Sequence, residues 1–503
     1  MFGYAVAAAV SVVVALSAGM TAQGTGRASS DAAPANQTAA AAATAAAPAR
    51  PNIVLITTDD MRRTDLRWMP ETSNLLADRG VKLTGFISNH PLCCPARAEI
   101  LTGQHSHNNG VRNNVGPRGG YKALAQPGNH VATWLKRNAG YQTAFIGKHL
   151  NGWEAIGTRQ PGWTVFDPIF RNPYSPFDLT MYNNGSPLPY PDIHTSDLVG
   201  RRSVRYIRQF AASEAPFFVW TSQVAPHGMN VNGVWRTPVP APRHRAVYPN
   251  ALPLSLSNPA FNEPDLRDKS AWVRAQPAVP RTGMIAWHRA RIRSLRSVDD
   301  QVKATVDALR ATGELANTYI FFTSDNGYLL GEHRLTTKNH PYEQSLRIPL
   351  VARGPGLPAG AVRDATYSLV DLAPTFVALA GNPAVGRTLD GRSMLATLRS
   401  GQPGYGHYLI QATRGPIDAS TGPAANGSEW WWRGVRSARY AYWRFDDGFE
   451  ELYDLSRDPA QLQNVARTAA YAGIRAGLAA RLSVLERCVG VSCQTGGLPA
   501  PSG

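Results

Sequence analysis

The chain has 503 residues, of which 43% are hydrophobic and 17% charged. It is therefore long and apolar enough for a large buried core, and is not disordered as a whole. A formal net charge of +16, nearly all of its basic side arginine, favours anionic partners. No nucleic-acid-binding motif or compact basic arm accompanies that charge, which argues against nucleic acid as the partner.

In chain order, Ala5 to Ala18 is an apolar segment followed by small residues up to Ala22, which predicts an export signal over residues 1–22 and a secreted protein. The segment lacks a leading basic residue, so an uncleaved cell-surface anchor is the alternative. Residues 23–50, rich in Ala, Thr, Ser and Gly, read as a disordered linker. No later apolar run is long enough to span a membrane. Of the four cysteines, Cys488 and Cys493 enclose a short loop and suit a disulfide in an oxidising compartment, whereas Cys93 and Cys94 are direct neighbours, which rarely bridge.

Asn52 to Thr57 is a short β-branched run and predicts a buried strand, with Asp59 and Asp60 just after it. Glu71 to Arg79 reads as helical. Pro95 suits a first helical position, with good helix formers to Leu101 and Gly103 as C-cap, so Cys93 falls just ahead of a helix N-terminus. That position favours an anion, and Arg97 lies one turn on. A helix over 131–138 and a strand over 141–146 lead into Gly147-Lys148-His149. A helix over 197–212 and a strand over 217–221 lead into Pro226-His227. A long Pro-rich stretch then predicts a lid or binding loop, ahead of a helix over 289–312. A strand over 319–323 empties into Asp325-Asn326-Gly327, and Lys338 precedes Pro341-Tyr342-Glu343. A strand over 348–351 and a helix over 369–380 follow.

Strands alternating with helices predict an α/β fold: a large, mostly parallel sheet sandwiched by helices over 51–404. From about residue 405 aromatic-rich strands and a terminal helix near 469–487 predict a smaller antiparallel α+β subdomain over 405–503. In parallel sheets the site lies outside the carboxyl ends of the strands. Four strands here end in ionisable or amide side chains, a coincidence that turn chemistry alone explains poorly. Asp59, Asp60, Asp325 and the amide oxygen of Asn326 are hard oxygen donors suited to calcium or magnesium. Arg97, Lys148 and Lys338 supply positive charge for a tetrahedral anion, and His227 suits a general acid for a leaving alcohol.

Cys93-Cys94-Pro95-Ala96-Arg97 resembles the C-x-P-x-R signature of type I sulfatases, within the alkaline phosphatase superfamily. Gly147-Lys148, Pro226-His227, Asp325-Asn326-Gly327, Lys338 ahead of Pro-Tyr-Glu, and Glu451 to Pro459 with Asn464 are similar to further motifs of that family. The resemblance implies that Cys93 is converted to formylglycine (3-oxoalanine) by a formylglycine-generating enzyme. It also implies that this residue joins Asp59, Asp60, Asp325 and Asn326 around calcium, magnesium being the second choice, to cleave an anionic sulfated substrate. Where many members have a histidine two residues after the first lysine, this chain has Leu150, which leaves His149 as the candidate base for expelling sulfate. The Lys-x-Leu-Asn form resembles the glucosamine-6-sulfatase branch and implies a sulfated aminosugar or glycan. The alternatives are a phosphodiesterase or phosphonate hydrolase of the same superfamily, or an unmatured protein that binds sulfated glycan without turnover.

Overall fold

The computed structural model describes residues 50–231, 234–404, 406–414 and 429–494. The predicted export signal and nearly all of the predicted linker lie outside them. A ten-stranded sheet forms the framework, in the spatial order Ala361–Ser368, Val81–Ile87, Leu350–Arg353, Thr318–Ser324, Asn52–Thr58, Phe217–Ser222, Gln142–Gly147, Val165–Arg171, Leu179–Met181 and Leu188–Tyr190. The five strands from Thr318–Ser324 to Val165–Arg171 run parallel. Leu350–Arg353 runs against them on one side, and Leu179–Met181 on the other.

Alternation along the central strand explains why the sheet is covered on both faces. Ile53 and Leu55 enter one apolar core with the helix Cys93–Thr102 and the C-terminal strands. Val54 and Ile56 enter another with the helices Thr195–Phe210 and Arg281–Ala311. The long helix begins eight residues earlier than the sequence pattern predicts. Pro280 stands at its N-cap, where a missing N–H costs nothing. The predicted helix after Met69 is instead a short α-turn, Pro70–Thr72, continued by a π-turn, Ser73–Ala77. The Pro-rich stretch contains a hairpin, Met229–Val231 with Val234–Arg236, ahead of mostly irregular chain.

Cys93 is the first residue of its helix, and Pro95 is the third, not the first as expected. The physical reason is that none of the first helical N–H groups has an intrahelical partner, so proline is tolerated there too. The first such bond runs from Ala96 N–H to the Leu92 carbonyl at 3.0 Å. Gly103 closes the helix in the left-handed region, at φ 65°.

The C-terminal strands His407–Thr413, Trp430–Ser437, Tyr440–Phe445 and Glu450–Asp454 form a four-stranded antiparallel sheet. One of its faces, with Ile410, Trp432 and Trp443, joins the main core. The other, with Leu409, Val435 and Tyr442, packs on the helix Ala472–Leu485. Cys488 and Cys493 are disulfide-bonded. Among the described residues no helix is long and apolar enough to cross a membrane.

Glu451, on the last of these strands, is wholly buried. It accepts hydrogen bonds from Tyr342 Oη at 3.0 Å, Tyr453 Oη at 2.7 Å and the Ser270 N–H at 3.1 Å. It thereby ties the C-terminal sheet to the segment after Lys338 and to the Pro-rich stretch. Burial pushes its carboxyl up to about 7 from an ordinary 4.5. Between those values the folded protein keeps a proton that the unfolded chain has lost, so this group's share of stability is present below pH 4.5 and is lost as pH rises through 7. Glu451→Gln, which does not titrate, is expected to flatten the slope over that window by at most about 3 kcal/mol. Urea unfolding at a series of pH values measures it; an unchanged slope would refute the assignment.

Candidate active site

The register of the parallel strands sets the site. Thr58 pairs with Ser324, and Ser222 pairs with both Thr57 and Gly147, so these strands end at one level. The residues that follow are therefore delivered to one edge. Gly147 adopts φ 103°, and a Cβ there would stand 2.0 Å from the Ser222 carbonyl oxygen, so only glycine lets the strand end this close to its neighbour and release Lys148.

Around Cys93, which is wholly buried, three carboxylates and three cations converge. The Cys93 thiol donates to Asp59 Oδ1 at 3.3 Å, and the Lys338 ammonium stands 2.9 Å from its sulfur. Lys338 also pairs with Asp60, and Lys148 with Asp59. Arg97 does not turn back to Cys93. Its guanidinium bonds Asp325 Oδ2 at 2.9 Å, the Lys148 carbonyl at 2.8 Å and the Ser222 hydroxyl, with Asp59 at 3.5 Å. The Asp60 and Asn326 N–H groups both donate to Asp325 Oδ1, at 3.1 and 2.8 Å. Asp60, Thr337 and Asn339 are non-glycine residues in the left-handed region, at φ 72°, 74° and 70°, a strain that clusters at this edge.

His227 Nδ1 stands 2.7 Å from the Gly228 carbonyl, which can only accept, so Nδ1 carries the proton and Nε2 faces Asp60 Oδ2 at 3.6 Å. Burial pushes this imidazole down to about 4, against the pull of Asp60. Burial also opposes charge on Asp59, yet Lys148, His227, Arg97 and Lys338 hold its carboxyl well below the usual range. Asp325 is pushed up to about 6, by burial and then by Asp59. Burial opposes charge on both lysines as well, but Asp59 at Lys148 and Asp60 at Lys338 hold the ammonium groups well above their ordinary value.

The donor set fits a hard divalent cation. Asp59, Asp60, Asp325 and Asn326 offer oxygens, and the Asn326 Oδ1 is buried without a hydrogen-bond partner. Asp59, Asp60, Cys93 and His227 present ligand atoms that all lie within 4.8 Å of one another.

His149 is not part of this group. It packs against Tyr121, Phe145, Trp153 and Phe166, and makes no hydrogen bond to Cys93 or to the three carboxylates. Neighbours along an extended segment face opposite ways, so placing Lys148 in the site turns His149 out of it. Burial pushes its imidazole down to about 3.

Four residues at the site were not anticipated from sequence. Ser222 bonds both Arg97 and the Lys148 carbonyl. Arg291, wholly buried on the long helix, donates to the Asp60 carbonyl and pairs with Asp65 at 3.1 Å. An arginine on the apolar face of an amphipathic helix was the available signal. Tyr174 stacks on His227 with centroids 4.7 Å apart, and Trp235 lies 5.4 Å from the same ring. Both sit in segments with no periodic pattern to mark them.

A family model described as Sulfatase matches residues 51–382. An arylsulfatase of Volvox carteri is 32% identical, across 88% of this chain and 76% of that protein. The N-acetylglucosamine-6-sulfatase of Homo sapiens is 29% identical, across 90% of this chain and 87% of that protein. A solved structure of a protein in complex with its substrate D-glucosamine-2-N,6-O-disulfate matches with a TM-score of 0.73 at 22% identity, across 90% of this chain and 100% of that one, a likeness of fold. With two thirds of the chain matched by one family model and an arylsulfatase aligned along most of its length, the chain belongs to the sulfatase family, in the alkaline phosphatase-like superfamily, and is a sulfuric ester hydrolase.

Proposed function

We propose that this sulfatase is an exported, calcium-dependent enzyme that removes sulfate from a sulfated aminosugar, using a formylglycine made from Cys93. The observation that carries the reading is the enclosure of the Cys93 sulfur at a helix N-terminus, between Asp59 and the Lys338 ammonium. Burial pushes this thiol up to about 12, with Asp59 adding to the shift. An unaltered cysteine here therefore stays protonated at neutral pH and is a poor nucleophile. Formylglycine at this position supplies a hydrated aldehyde as nucleophile, with a second hydroxyl to expel the sulfate. Calcium held by Asp59, Asp60, Asp325 and Asn326 supplies Lewis acidity beside residue 93.

The chain's own groups do the rest. The three carboxylates and three cations of the chain balance one another, so a divalent ion held there would leave the site net positive for an anionic ester. Lys148 and Lys338, held charged by their aspartates, meet the sulfuryl oxygens. Arg97 orients Asp325 and the end of the strand that carries Lys148. His227, its Nδ1 fixed on the Gly228 carbonyl, presents Nε2 to the leaving oxygen. An arriving sulfate ester draws a proton onto that nitrogen, which then passes to the alcohol. The aminosugar reading is supported by similarity to the N-acetylglucosamine-6-sulfatase and to the structure that holds a glucosamine disulfate. Export rests on residues 1–22.

Peptide mass spectrometry across residue 93 is expected to find an aldehyde at position 93 and a free thiol at 94. Cys93→Ala should lower turnover by about 10⁴-fold or more. Fully active protein with an intact cysteine at 93 would overturn the reading.

Chelation should abolish turnover of 4-nitrophenyl sulfate and calcium should restore it, with Asp325→Ala failing to recover. Undiminished activity in metal-stripped Asp325→Ala protein would remove the metal from the mechanism.

His227→Ala should cost about 10²- to 10⁴-fold in kcat on a sugar sulfate, whose alkoxide needs a proton, and far less on 4-nitrophenyl sulfate, whose phenolate does not. Equal losses on both substrates would rule out the acid role.

A further inference from the structure

We infer that Trp235, backed by Tyr174, forms the subsite that receives the ring of the departing alcohol, and that the enzyme selects six-membered-ring sulfates over acyclic ones. The inference rests on the proposed placement of the leaving oxygen at His227.

Trp235 lies on the second strand of the hairpin that begins two residues after His227, opposite Asn230. It is 55% exposed. A tryptophan left this open on a two-stranded ribbon contributes little burial energy, so stability alone gives poor reason for it. Its ring is nonetheless placed with care. Its centroid is 5.2 Å from Tyr174 and 5.4 Å from His227, while Tyr174 and His227 stack at 4.7 Å with planes 28° apart. The Lys148 ammonium sits over the Tyr174 ring at 4.9 Å, and Lys148 pairs with Asp59. A continuous series of contacts thus runs from the carboxylates outward through Lys148, Tyr174 and His227 to an open indole face.

The spacing fits a ring on the leaving group. An oxygen that takes a proton from His227 Nε2 stands about 3 Å from it. A ring joined to that oxygen directly, or through one methylene, is centred about 3–4 Å further out. The Trp235 centroid stands 5.4 Å from the imidazole, so a ring centred about 6–7 Å out from Nε2 comes alongside the indole rather than onto its position. Both a pyranose face of C–H groups and an aryl ring pack well on indole, and a protonated amine on the ring adds a cation–π attraction. A short acyclic chain offers neither face. The subsite therefore reads ring shape, with Tyr174 as the positioning residue that holds His227 and Trp235 in line.

The test compares full-length matured enzyme with Trp235→Ala and Trp235→Phe on 4-nitrophenyl sulfate, glucosamine 6-sulfate and propyl sulfate. For Trp235→Ala the ratio of kcat/KM on ring sulfates to that on propyl sulfate should fall about tenfold, mainly through KM, and Trp235→Phe should recover most of it. A fall for only one ring type would assign the subsite to aryl or to pyranose sulfates. Calorimetry in a Cys93→Ala background, where turnover is blocked, should show the same roughly tenfold weakening for the ring sulfates. Equal losses on all three substrates, or a ratio unchanged in both turnover and binding, would overturn the inference. A wild-type enzyme that turns over no sulfate ester would defeat the proposed function, while the binding measurement would still decide the role of Trp235.

Discussion

Charges taken out of water must be paired, and the whole site is built on that requirement. Asp59, Asp60 and Asp325 are almost fully buried, and so are Arg97, Lys148 and Lys338. Removing one member of a buried pair leaves an uncompensated charge worth about 3–5 kcal/mol. The six are thus stable only as a set, and the set exists only if three strands deliver Asp59, Asp60, Asp325 and Lys148 at one level, with a fourth ending in the Ser222 that binds Arg97. Register, the glycine at 147 and the left-handed turn at Asp60 are consequences of that demand rather than separate features.

The same demand explains how far the sequence could be read. Strands over 52–57, 217–221 and 319–323 were legible because β-branched and aromatic runs end abruptly in charged or amide residues. Each such ending is a local signal of a residue carried to a sheet edge. Pro95 misled by two positions because the first and third helical N–H groups are equally free of partners, so the residue type does not separate them. Strand alternation separates Lys148 from His149, so the adjacency that made His149 a candidate base turns it into the aromatic core instead. The hydrogen-bond partners of Arg97 were not legible, because they come from chain positions 51 to 228 residues away. Tyr174 and Trp235 were missed for the same reason, since their relevance arises from tertiary approach alone, whereas Arg291 left a trace on the apolar face of its helix.

The C-terminal sheet contributes no side chain to the group around Cys93, yet it supports that group from behind. Glu451 gathers Tyr342, Tyr453 and Ser270. Arg436 adds a bidentate pair with Glu343, at 2.7 and 2.8 Å. Both contacts fix the turn that follows Lys338, so the lysine's reach to Asp60 and Cys93 depends on residues about 100 positions later in the chain. The aromatic texture of the last quarter, read from sequence as strand, is the apolar face that makes this docking stable.

The enclosure of Cys93 also has a schedule. Its sulfur is sealed by Asp59, which is made before it, and by Lys338, which is made about 245 residues after it. At ribosomal rates of about 5–20 residues per second, Cys93 spends roughly 12–50 s outside the completed pocket. Once Lys338 docks, the sulfur is flanked by both partners and the residue is buried. The distance along the sequence between residues 93 and 338 is thus what sets how long this side chain stays open during synthesis.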